Sequence, residues 1–348
     1  MEYYQNPVYP NYFADPFVWK HDGRYYAVGT GPLEGVAIST HVAMSSALVD
    51  GQERAFPLLE SDTLSHWRFV NGALLVPEHL RGGEFWAPET AFDGKYFYLY
   101  YSAAVEELKH ELRVARSSLP TGPYKDIGRL MFDTRNCPFA IDAHAFQDDD
   151  GEWYLFYARD FLDATAPHRA GTALVVDRLV DMTRLAGEEQ VVLRARSDWQ
   201  LFKAQRSMYG RVLDWHTVEG PCIRKHDGLY FCFYSGGCFE NASYGIDYGV
   251  AEHVMGPYRD DGNESGARVL RTAPGRLIGP GHHSIVEGPD GLAEFVVYHA
   301  WDAAMTARRM CIDKLVWTSE GPRCLGPTWT RQELGEPFQA VEAKALNA

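Results

Sequence analysis

Basic charge is scarce in this chain: 33 Lys and Arg stand against 47 Asp and Glu, giving a formal net charge of −14. No basic stripe breaks that balance, which excludes nucleic acid and anionic membrane surfaces as partners. Cysteine is also sparse. The six, Cys137, Cys222, Cys232, Cys238, Cys311 and Cys324, form no Cys-x-x-Cys pair. Four lie in or beside apolar stretches and read as buried free thiols. No apolar run approaches the ~18 residues of a membrane span. The first residues lack a charged segment followed by an apolar one, so a cytoplasmic location is expected, with a secreted mature form left open. Signs of disorder are missing too, because 46% of the 348 residues are hydrophobic, enough for a large core. Aromatic residues are plentiful, with 9 Trp, 20 Tyr and 18 Phe. Such rings stack on sugar faces, but most are expected to fill the core.

What is present is a repeat. Asp-Gly pairs occur at Asp22-Gly23, Asp93-Gly94, Asp150-Gly151, Asp227-Gly228 and Asp290-Gly291. Each precedes an apolar or aromatic run, such as Trp153 to Tyr157 or Tyr230 to Tyr234. This is a strong hairpin signal. Five copies at a period of roughly 65 residues mark a repeat architecture. They predict an all-β fold, a five-bladed β-propeller with four-stranded antiparallel blades. The repeat spans residues 1–333 as a single domain, and residues 334–348 read as a polar C-terminal tail. Residues 1–10 or the chain end are expected near the ring closure.

Upstream of each turn stands a residue of interest: Asp15, Glu89, Asp142, Glu219 and His282. Prolines adjoin several of them. Pro16 removes a ladder donor, so a strand start or bulge is expected there. Later strands are expected at Val36 to Ser39, Leu64 to Trp67, Leu112 to Ala115, Tyr298 to Ala300 and Arg308 to Asp313. An insertion from Arg196 to Tyr209 carries Trp199, Phe202 and Tyr209, and is a candidate wall of a binding site.

Three acids, Asp15, Asp142 and Glu219, sit at matching places on short apolar strands. Partly desolvated carboxylates of this kind are bridged, metal-bound or functionally tuned. Two carboxyls across a pocket are the requirement of glycoside hydrolysis, one protonating the leaving oxygen and the other activating water or attacking carbon. A third acid can hold the donor's pKa high.

Ala14-Asp15-Pro16, Trp86-Ala87-Pro88-Glu89, Ile141-Asp142-Ala143-His144, Glu219-Gly220-Pro221 and Gly279-Pro280-Gly281-His282 resemble the successive blade motifs of glycoside hydrolase family 43. The resemblance runs over essentially the whole chain. It implies an inverting mechanism with Asp15 as general base, Glu219 as general acid and Asp142 as modulator of Glu219. It further implies substrate contacts from Trp86, His144 and Arg308. Arg309 would face the other way along its strand. No cofactor is required, and a central calcium ion near His282 is the one addition the resemblance allows. His144 and His216 flank the acids. The expected substrate is an oligosaccharide or polysaccharide containing pentoses, cleaved as an α-L-arabinofuranosidase or β-xylosidase would. No appended sandwich domain is seen, which counts against a strict β-xylosidase. Arabinan- or galactan-active hydrolysis, a non-catalytic carbohydrate-binding propeller and a retaining relative stay open, as does the oligomeric state.

Overall fold

The computed structural model describes residues 2–34, 46–49, 51–105, 109–130, 139–262 and 264–335. Among them there is no α-helix, and the only helical turns are two short 3-10 segments. No helix is long and apolar enough to cross a membrane.

Each Asp-Gly pair closes an antiparallel hairpin, as the sequence pattern predicts. The hairpins join Ala14–His21 to Arg24–Thr30, Glu84–Phe92 to Phe97–Ala104, Ala140–Gln147 to Trp153–Phe161, Arg211–His226 to Leu229–Gly236, and Leu277–Glu287 to Glu294–Asp302. Two of the turns are two-residue loops with both φ values positive: +48 and +77 at Asp22-Gly23, +49 and +78 at Asp227-Gly228. That geometry matches the twist of the flanking strands and is the reason for the Asp-Gly sequence. Further strands extend each hairpin outward into a unit. In the fourth unit the outermost position holds isolated bridges, Val250 with Arg259 and Ile246 with Leu270.

The first and second units are joined by a short parallel pairing of Tyr124 and Lys125 with Leu74 and Leu75. The third and fourth are joined by Gly171 and Thr172 with His216 and Thr217. At Gly171 a Cβ would lie 1.9 Å from the His216 carbonyl, so this close approach admits only glycine. The first strands of the five units neighbour one another in a closed circuit, with Ala14–His21 beside both Glu84–Phe92 and Leu277–Glu287. Five hydrophobic clusters fill the five junctions between neighbouring units. This curled all-β arrangement fits a β-propeller.

Some expectations shift. Leu64 to Trp67 forms a bend, and the strand there is Arg68–Leu75; Leu64 is buried as a plug and the Trp67 indole donates to its carbonyl. Tyr298 to Ala300 continues the second strand of its hairpin and is not a separate strand. Val36 to Ser39, Cys137 and the tail beyond Gly335 lie outside the described residues. The other five cysteines are buried free thiols. Leu334, placed at the start of the tail by sequence, is buried, and its N–H donates to the Glu2 carbonyl.

The ring closes where the chain ends meet. Tyr3–Tyr4 pairs with Gln332–Glu333. The Asn6 side chain acts as a strand mimic, donating to the Ile312 carbonyl and accepting from the Ile312 N–H, each at 2.8 Å. Fully buried Asp313 accepts from Tyr4 at 3.0 Å, Asn6 at 3.2 Å, Tyr298 at 2.7 Å and the Thr328 N–H at 3.0 Å. An unpaired buried donor costs about 1–3 kcal/mol. Asp313→Ala is therefore expected to lower the unfolding free energy by roughly 3 kcal/mol or more in a urea titration. A loss below about 1 kcal/mol would show that closure rests elsewhere.

Candidate active site

Where the five first strands meet, each carries a residue in the left-handed region: Asp15 at φ +50, Ala87 at +45, Asp142 at +60, Gly220 at +57 and His282 at +43. Each lies at a register shift of its hairpin. Prolines 16, 88 and 221 occupy three of the same shifts, and Pro280 occupies the shift just before that of His282, places where a residue without an N–H is tolerated. The bulge re-aims the side chain and frees the backbone N–H from its own ladder. A freed, buried N–H needs another acceptor.

Four of the five find it on the second strand of the preceding unit. Asp15 N–H donates to His299 Nδ1 at 3.1 Å, Ala87 to Thr30 Oγ1 at 2.8 Å, Asp142 to Ser102 Oγ at 3.1 Å and His282 to Ser235 Oγ at 2.7 Å. These acceptors share one register position, since each pairs with the residue just before the bulge. In the third unit that position is Ala158, opposite Ile141, and alanine offers no acceptor. The Gly220 N–H donates instead to the Asp142 carboxylate, Oδ2, at 3.0 Å. Asp142 is thereby tied to the residue following Glu219.

Equivalence by register corrects the sequence reading of the matching places. Asp15, Asp142 and His282 are equivalent, but Glu219 stands one residue before its bulge and Glu89 two beyond. Glu219 thus shares its register with Trp86, opposite Ser235 and Ser102 respectively. Asp15 and Asp142 are closed off, at 9% and 4% exposure, whereas Glu219 is partly open.

The carboxylates differ in electrostatic setting. Burial acts to raise the Asp15 pKa, but His282 and Arg308 beside it win and hold it well below the usual carboxylate range. His282 Nδ1 and Arg308 Nη1 each lie 3.5 Å from Asp15 Oδ1, and His299 Nδ1 lies at 3.2 Å. Burial lowers the His282 pKa, but the surrounding Asp15, Asp142 and Glu219 raise it overall and favour the imidazolium. Burial pushes His299 down to about 4, so its neutral Nδ1 accepts the Asp15 N–H. Burial and the Asp142 charge push Glu219 up to about 7. Asp142 also rises, through burial and its acidic neighbour Asp15, against the pull of His282. The Tyr244 hydroxyl donates to Glu219 Oε1 at 2.6 Å.

The other expected residues divide. Arg308 reaches Asp15, with Nε and Nη2 on the Tyr12 hydroxyl at 3.0 and 2.7 Å, while Arg309 turns away to Asp302 and the Pro10 carbonyl. Trp86 is half-buried and stacks on His110, 3.6 Å between centroids. His144 is not free to bind substrate, which corrects that expectation. Its Nδ1 lies 2.7 Å from Glu89 Oε2, and its Nε2 accepts the Ile223 N–H at 3.2 Å. It lines a cavity of about 680 Å³ at the turn end of the ring, together with Asp22, Gly23 and Arg224, away from the acids. His216 is structural, bonded through Nδ1 to the Asp214 carbonyl at 3.1 Å.

The insertion forms the strand Leu201–Met208, paired with Arg211–His226. Trp199 stacks on Tyr234, and Tyr209 donates to Asp160 at 2.6 Å. Phe202 packs on Phe239, whose ring lies 4.8 Å from the Arg308 guanidinium, so this part of the insertion reaches the rim of the site. Tyr244 and His299 were not singled out as site residues by sequence, and neither was the pairing of Glu89 with His144. Their partners are remote in the chain, and only the register of the bulges brings them together.

Sheets curled into a ring, with one central carboxyl shifted toward the ionised form and another toward the protonated form, suit the chemistry of a glycoside hydrolase. Residues 4–322 match the model of glycosyl hydrolases family 43, and the chain belongs to that family. It is 26% identical over 324 residues to a β-D-galactofuranosidase of Aspergillus niger, covering 91% of this chain and 83% of that protein. It is 24% identical to an extracellular endo-α-(1→5)-L-arabinanase of Bacillus subtilis, covering 88% and 86%. Among solved structures, a thermostable family-43 glycoside hydrolase superposes with a TM-score of 0.77 at 30% identity, covering 96% of this chain and all of that one.

Because the Asp142 charge raises the Glu219 pKa, Asp142→Asn is expected to lower it. The alkaline limb of kcat/KM for an aryl glycoside should then move to lower pH. A limb that stays in place would show that the two carboxyls do not sense each other.

Proposed function

We infer that the chain is an inverting hydrolase of pentose-containing plant polysaccharides or their fragments, with α-L-arabinofuranosidase or β-xylosidase as the leading activities. The carrying observation is the opposite displacement of two carboxyls in one buried centre, Asp15 downward and Glu219 upward. Relatives named as an exo-α-(1→5)-L-arabinofuranosidase of Streptomyces chartreusis and a β-xylosidase of Xylanibacter ruminicola support the substrate class, at 25% and 27% identity. The Aspergillus niger relative favours a second reading, a hexofuranoside substrate.

In this mechanism ionised Asp15 takes a proton from a water as the water attacks the anomeric carbon. Protonated Glu219 gives its proton to the departing glycosidic oxygen, and the anomeric configuration inverts. Asp142 keeps Glu219 protonated and orients it through Gly220. The reading calls for the two working carboxyls to stand roughly 6.5–9.5 Å apart, leaving room for the water. Arg308, over the Phe239 and Tyr12 rings, binds substrate beside Asp15, and Trp86 stacks on a sugar. His144, held by Glu89, is a positioning residue. The architecture is read as five blades of four strands in a single domain over residues 1–333, followed by a polar tail.

No cofactor enters the proposed chemistry. Calcium takes six to eight oxygen ligands, and among the described residues no group of three or more His, Cys, Asp or Glu is arranged to hold a metal. His282 Nδ1 faces Asp15 Oδ1 at 3.5 Å, and the surrounding acids raise its pKa. Exhaustive chelation is expected to leave kcat intact, and a loss restored by Ca²⁺ would overturn the cofactor-free reading.

The activity test is a screen of aryl arabinofuranoside, xyloside and galactofuranoside with arabinan, following the first anomer released by NMR. The inverted anomer is expected, and retention would sink the mechanism. Glu219→Gln should abolish turnover of poor leaving groups while sparing activated aryl glycosides, which need less protonation. For the native enzyme the sign of the pH effect is set by the acid. Activity requires Glu219 protonated, so kcat/KM should fall as pH rises through about 7. Asp15 stays ionised across that range.

A further inference from the structure

Tyr244 is buried, and its hydroxyl makes a 2.6 Å hydrogen bond to Glu219 Oε1. Its ring lies parallel to His299, 5.8 Å between centroids and 9° between planes, and His299 in turn touches Asp15. One side chain therefore bridges the surroundings of both working acids. The fifth unit gives up a side chain to seat it. A Cβ at Gly281 would fall 2.2 Å from the Tyr244 ring, closer than any real contact.

Resting on the assignment of Glu219 as the acid, we propose that Tyr244 is a positioning residue that decides which oxygen of Glu219 carries the transferable proton. A carboxyl that accepts a hydrogen bond at Oε1 keeps that oxygen as its carbonyl and bears its proton on Oε2. Tyr244 stays the donor, because burial and the adjacent Glu219 charge raise its own pKa well above the usual phenol value. The bond also fixes the rotation of the Glu219 side chain, so the proton has one direction of delivery. The same bond favours ionised Glu219 and opposes the upward push of Asp142. The two neighbours thus set the acid's pKa from opposite sides.

The test is Tyr244→Phe, which removes one oxygen, alongside Gly281→Ala, which shifts the ring. Both are assayed on arabinan and on an activated aryl glycoside across pH. For Y244F, kcat on the poor leaving group should drop about tenfold or more, with KM within about twofold and a smaller loss on the aryl glycoside. Its alkaline limb should move to higher pH, opposite to Asp142→Asn. G281A should change kcat in the same direction, and it decides the matter should Y244F fail to fold. An unmoved alkaline limb, or a higher KM at constant kcat, overturns the proposal. Glu219→Gln run in parallel separates the two readings. If it still turns over poor leaving groups, the acid assignment fails. If it does not, while the Y244F limb stays put, only the role of Tyr244 fails.

Discussion

At the centre of the ring five backbone N–H groups are lifted out of their own hairpins and must be bonded across to a neighbour. That constraint shapes the rest of the site. Four are satisfied by a hydroxyl or imidazole at one register position of the preceding unit, and the fifth meets Ala158 and has none. An orphaned buried donor costs enough to reshape its surroundings. The Asp142 carboxylate answers it, and the structural debt of one unit becomes the link that sets a carboxylate beside the acid.

The left-handed backbone at Asp15, Asp142 and His282 carries strain that glycine would avoid. Three charged or chargeable side chains are thereby brought to one place of low dielectric, where their mutual influence is amplified. Asymmetry then follows from the partners. Asp15 faces His282 and Arg308, while Glu219 faces Asp142 and a phenol. Residues of the same chemical type are shifted in opposite directions, Asp15 toward the ionised form and Glu219 toward the protonated one.

Much of this was legible in the chain. The Asp-Gly turns report local geometry: two consecutive left-handed residues favour that pair at Asp22-Gly23 and Asp227-Gly228, a left-handed glycine follows the Asp in the other three, and together the pairs located all five hairpins. The acids were legible because a charge inside an apolar run must have a purpose. Their exact equivalence was hidden, because turn lengths differ: His21 pairs with Arg24 across two residues, Glu287 with Glu294 across six. Counting back from the turn therefore drifts by a residue or two, enough to mistake Glu89 for a partner of Asp15. His144 looked like a ligand for substrate because it stands two positions after Asp142, where a regular strand would face it the same way, yet the bulge between Ile141 and His144 breaks that alternation. Tyr244 carried no signal, for its place is defined by the absence of a side chain at Gly281.

The surroundings of Asp15 do not come from one contiguous stretch of chain. Asp15 belongs to the first unit, whereas His282, His299 and Arg308 belong to the fifth, on the other side of the junction that Asn6 and Asp313 fasten. Clasp and catalytic electrostatics share a seam. Slackening there would draw His282 and Arg308 away from Asp15 while the hairpins of all five units stayed paired, so the electrostatic setting of Asp15 depends on the closure as much as on its own sheet.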